Sequence, residues 1–161
     1  MADRLPGLLV TLQESVAYGR GPGRKKPSHA HGVYLFTEGD RHMYVGRTGR
    51  TERSIQSGKP SASGFRKRLA GHSTPGAELN TASFALRLAM EDAANEGLEV
   101  PAARKDRLEV PRFVELFSAA KERITAMEFR TVDIDDDRES YVFELYAAFV
   151  LDTPYNSFAT S

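Results

Sequence analysis

Tyr141 to Leu151 reads Tyr-Val-Phe-Glu-Leu-Tyr-Ala-Ala-Phe-Val-Leu, and Glu144 is the one charge among its eleven residues. A carboxylate enclosed in a helix apolar on all sides is costly unless it is paired, hydrogen-bonded or bound to a cation. Two partners answer that need: an Arg in the core, or a metal ion facing a cleft. Arg68 and His72 are spaced i, i+4 in the basic segment Phe65-Arg-Lys-Arg-Leu-Ala-Gly-His72, so a helix there sends both side chains from one face. A phosphate suits such a pair, because Arg offers a fork of donors and His can move a proton near neutrality. An exposed pair on a solvated helix is the commoner outcome of this spacing. Tyr34 and Tyr44 stand in Gly-Val-Tyr and Tyr-Val-Gly, where the glycines would let another backbone or a ligand approach closely. Tyrosine in a strand is ordinarily packing. Asn156 follows Pro154-Tyr155, a commonplace turn position. His29, His31 and His42 lack metal-ligand spacing and carry no assigned role.

The elements that must position these residues can be read from the same sequence. The chain has 161 residues, 40% hydrophobic and 27% charged, with no cysteine and no apolar run of membrane-spanning length. Length and composition predict one ordinary domain of soluble composition, without disulfides, thiolate metal sites or a cysteine nucleophile. The start has no apolar stretch of signal-peptide length, so a cytoplasmic location is expected. The charges balance at 22 basic and 22 acidic but are unevenly placed: residues 1–72 hold 13 Lys and Arg against 5 Asp and Glu, and residues 73–161 hold 9 against 17. A basic first half suits a phosphate backbone, and an acidic second half could hold a metal, pair with the first, or be solvated.

Residues 8–17 suggest a short helix, broken by Tyr-Gly-Arg-Gly-Pro-Gly-Arg-Lys-Lys-Pro at 18–27. That stretch carries Arg24, Lys25 and Lys26 and reads either as a loop lying along phosphates or as a solubilising linker. Residues 32–37 and 42–46 read as a β-hairpin around Glu38-Gly-Asp-Arg41. A Gly- and Ser-rich loop at 49–64 leads to the basic helix with Arg66, Lys67 and Arg68. Residues 77–96 predict an alanine-rich helix capped by Gly97, and Pro111 opens another with Phe113, Phe117, Ala120 and Ile124 at helical spacing. Residues 128–134 have β character, and Asp136 with Glu139 has capping-box spacing before the last helix. The order predicts a small antiparallel or mixed sheet flanked by helices.

Gly32-Val33-Tyr34 followed by Tyr44-Val45-Gly46 resembles the paired motif that names the GIY-YIG endonuclease superfamily, with Val in place of each Ile. The resemblance covers about residues 31–158. It implies an α+β fold, a small three-stranded antiparallel sheet flanked by helices, with Arg68 on a helix after the hairpin and a metal-binding Glu144 on a later one. The spacings of Arg68 to His72 and Glu144 to Asn156 are similar to the restriction-enzyme branch. Residues 1–30 then form an N-terminal helix and basic loop, and residues 31–161 a nuclease-like domain. A helical insertion at about 73–126 departs from the minimal family pattern and could serve target recognition, dimer formation or a partner protein.

The resemblance implies metal-dependent hydrolysis of DNA phosphodiesters, with Mg²⁺ or Mn²⁺ held mainly by Glu144. A hard cation keeps waters and takes a phosphate oxygen, so one carboxylate can suffice. Arg68 would neutralise charge on the phosphate, Tyr44 and His72 would hold or deprotonate the attacking water with Tyr34 the other candidate base, and Asn156 would orient the water or a side chain. Arg47 would clamp a phosphate, and Arg24, Lys25, Lys26, Arg66 and Lys67 would lie along the DNA. An endonuclease of restriction or defence type, a shape-recognising repair or recombination nuclease, and a non-catalytic DNA-binding module all fit this set.

Overall fold

The computed structural model describes residues 2–18, 31–48 and 83–156. Strands β1 (Gly32–Glu38) and β2 (Arg41–Thr48) form the expected hairpin, closing through Gly39 at φ +58° and Asp40. Glycine is the residue that takes this left-handed conformation without cost. The register slips between Phe36 and Thr37, which pair with Tyr44 and His42 and leave Met43 as a bulged residue. β3 (Glu128–Val132) lies antiparallel on the other side of β1, giving the order β2-β1-β3. The described architecture is α+β with a three-stranded antiparallel sheet and helices.

The chain divides into two units, residues 1–67 with 127–161, and residues 68–126. In the first, helix α1 (Leu5–Glu14) buries Leu5, Leu9 and Leu12 against one face of the sheet. It starts three residues earlier than the sequence predicts, because Pro6 in the first turn has its fixed φ and needs no N–H partner there. Beyond it, Tyr18 and Phe129 exchange backbone hydrogen bonds of 2.8 Å, which extends the sheet by one bridge past β3. Val33, Leu35, Val45 and Val132 form the same core with Phe143, Ala147 and Ala148 of the last helix.

In the second unit, helix α2 (Ser83–Asn95) packs on helix α3 (Pro111–Ala126). Phe113, Phe117, Ala120 and Ile124 are all buried, as their spacing predicts. Gly97, at φ +68°, ends α2 as expected: its own N–H and that of Leu98 cap Ala94 and Ala93. Residues 77–82 of the predicted helix and the basic helix at 65–72 lie outside the described residues. Arg112 joins the unit's surface, its Nε donating to Glu96 at 2.9 Å and Nη1 to Glu115 at 2.7 Å.

Helix α4 (Asp137–Val150) belongs to the first unit and carries Glu144. Asp136 caps it, accepting from Arg138 N at 2.7 Å and Glu139 N at 2.9 Å; the Glu139 and Arg138 amides hold this carboxylate below its usual range. The expected capping box is only half formed. Glu139 is buried and pairs with Arg4 at 3.1 Å instead of reaching back to the cap. Although Tyr141 to Leu151 is apolar on all sides but for Glu144, the helix is covered on one side only: Phe143, Ala147 and Ala148 are buried, while Tyr141, Val142, Phe149 and Val150 are exposed.

Candidate functional site

Alternation along the hairpin assigns the motif residues to faces. Val33, Leu35 and Val45 point toward α1 and α4, so Tyr34, Phe36, Tyr44 and Gly46 leave by the opposite face. Gly46 lies opposite Tyr34, and a Cβ placed on it would come within 2.4 Å of the Tyr34 hydroxyl and ring. Gly32, at φ +126°, would set a Cβ 2.1 Å from the Val132 carbonyl oxygen of β3. Both motif glycines therefore permit close approach: one admits a backbone, the other the ring of the motif's own tyrosine. Tyr34 is buried, 1% exposed, with its ring 6.4 Å from that of Tyr44 and edge-on to Phe36.

Arg47 leaves β2 on the opposite face and meets α4. Its Nε lies 3.1 Å from Oε2 of Glu144, and its guanidinium stacks 5.0 Å from the centre of the Tyr141 ring. Of the two partners expected for Glu144, the structure contains the Arg. The side chains are 34% and 18% exposed, so the pair is half-buried at the rim of the sheet and not in the core. Tyr141 and Glu144, at i and i+3, present one surface to the cation. That spacing was readable in the sequence, but nothing local linked it to Arg47.

Asn156 is committed to backbone. Its Nδ2 donates to Val45 O at 2.7 Å, and its Oδ1 accepts from Val45 N at 2.8 Å and from Thr153 Oγ1 at 2.9 Å. The side chain thus continues the sheet past its outer strand, β2. The chain returns there because Asp152, at φ 48°, ends α4 in the left-handed conformation, with Thr153 N bonding to Ala148 O.

One grouping carries no signal in the local sequence. His31, just before β1, lies between Asp135 (Nε2 to Oδ1, 3.1 Å) and Asp133 (Nδ1 to Oδ1, 3.6 Å), tying the start of β1 to the segment after β3. Its partners are about a hundred residues away in sequence. Among the described residues no group of three or more His, Cys, Asp or Glu is arranged to hold a metal ion. A cage of several protein ligands is therefore not formed there. A hydrated hard cation needs less, and Glu144 is paired with the guanidinium of Arg47.

The structure brings Tyr34 to Tyr44, Arg47 to Glu144, and Asn156 to β2, but it sets the tyrosines and the Arg47–Glu144 pair on opposite faces of the hairpin. Arg68, His72, Arg66, Lys67, Arg24, Lys25 and Lys26 lie outside the described residues. No helix among the described residues is long and apolar enough to cross a membrane. No protein-family model, curated protein or solved structure matches the chain.

Proposed function

We propose that the protein is a metal-dependent DNA endonuclease of the GIY-YIG type, closest to its restriction-enzyme branch. The supporting observation is that the two motif halves pair as neighbouring strands, with Tyr34 seated across Gly46. On this reading Glu144 would hold Mg²⁺ or Mn²⁺, which would supply Lewis acidity and orient water. Arg47 and Tyr44 leave the outer strand β2 on its two faces, so a scissile phosphate served by both would lie at that strand's rim. Arg68 would meet the phosphate oxygens with a fixed positive charge, and Tyr34 or His72 would accept the proton of the attacking water. Asn156, bonded to Val45 between Tyr44 and Gly46, is a positioning residue for β2.

A second reading has an observation of its own. Glu144 paired with Arg47, and Tyr34 buried, also suit a non-catalytic DNA-binding module. Incubation with plasmid, mismatched and branched DNA in Mg²⁺, with the ends mapped by sequencing, separates the readings. Cuts at fixed sequences support the restriction type, and cuts at mismatches or branches a repair or recombination nuclease. Binding without cuts supports the module.

A further inference from the structure

We propose that Arg47 is an internal counter-cation that Glu144 must release before it can bind a divalent ion, so that metal loading frees Arg47 for a phosphate. The inference rests on the endonuclease reading. Its basis is that Arg47 lies on the very carboxylate that reading assigns to the metal, at 3.1 Å from Oε2. Two cations on one carboxylate repel each other, and in a half-buried site that repulsion is only partly screened. Glu144 therefore exchanges one positive charge for another, and Arg47 loses its ionic partner on exchange.

Tyr141 gives Arg47 somewhere to remain. The ring lies 5.0 Å from the guanidinium and needs no counter-charge to hold it. Arg47 released from Glu144 keeps this stacking surface, and its planar fork of donors then matches the oxygens of a phosphate bidentately. The sequence of events is metal first, DNA second. Without metal, Arg47 holds its positive charge against the carboxylate that would otherwise repel the phosphate backbone.

The test is saturable Mn²⁺ binding to the full chain without DNA, followed by electron paramagnetic resonance of free Mn²⁺. Arg47→Met should tighten Mn²⁺ binding by roughly three- to tenfold, the range set by losing a partly exposed ion pair. Tyr141→Leu leaves every charge in place and removes only the stacking surface, so it should bind Mn²⁺ within about twofold of wild type. That variant should instead weaken DNA binding in the presence of metal. Glu144→Gln should lose the saturable site. Equal or weaker Mn²⁺ binding by Arg47→Met, in a protein that melts normally, would overturn the inference and leave the endonuclease reading intact. Absence of a saturable Mn²⁺ site from both wild type and Arg47→Met would overturn the two together.

Discussion

At Gly46 a single hydrogen atom decides whether the hairpin can seat its own tyrosine. Gly46→Ala would drive a methyl group into Tyr34, whose ring is buried and held by Phe36 and Tyr44, so it cannot swing out of the way. We expect destabilisation of about 1–3 kcal/mol from overpacking, read as a lowered melting temperature. The double variant Gly46→Ala with Tyr34→Phe should recover little, because the clash involves the ring carbons as well as the hydroxyl. Tyr34→Phe alone tests chemistry, since it removes only the hydroxyl and keeps the packing. If that hydroxyl serves the reacting phosphate or water, cleavage should slow by about 10²–10³. Near-normal cleavage would pass the base to His72, and His72→Ala would then have to be inactive.

Among the elements, β2 pairs with β1 on one side and is met by the side chain of Asn156 on the other. Asn156 satisfies both backbone groups of Val45 on the outer side of the sheet. Asn156→Ala exposes them to water or leaves them unpaired, and should cost roughly 1–3 kcal/mol. Hydrogen exchange should show the loss at Val45 before it shows at β1. A uniform loss across the sheet would contradict a local clamp. The hairpin, the Gly97 cap and the buried stripe of α3 were legible in the sequence because turn chemistry and helical spacing are local. The half-formed capping box was not, because Glu139 finds Arg4 more than a hundred residues away. Nor was the sharp exit from α4, where Asp152 does what glycine ordinarily does. The spacing of Glu144 and Asn156 was visible, yet the partner of each is on β2, and no spacing within α4 names it.

Across the whole chain the charge is divided, with residues 1–72 carrying 13 basic against 5 acidic side chains. DNA binding should therefore fall steeply with salt, since each phosphate contact releases condensed counterions. Changing Arg24, Lys25 and Lys26 together to Ala should weaken binding and flatten the slope of log K against log salt by about 0.9 for each phosphate contact removed. An unaltered slope would mean that these three cations touch no phosphate.

If Glu144 binds the metal that cuts DNA, Glu144→Gln should separate catalysis from folding, read by cleavage of plasmid in Mg²⁺ and a thermal melt on the same preparation. Arg47 keeps Tyr141 and partial access to water when its carboxylate is lost, so the stability cost should stay near or below about 1 kcal/mol, a shift of about 2–4 °C. The variant should fold, melt within that range of wild type, still bind DNA and make no cuts. A variant that still cuts would contradict this role of Glu144, and so would one that melts many degrees early, since Glu144 would then be holding the fold and not the metal.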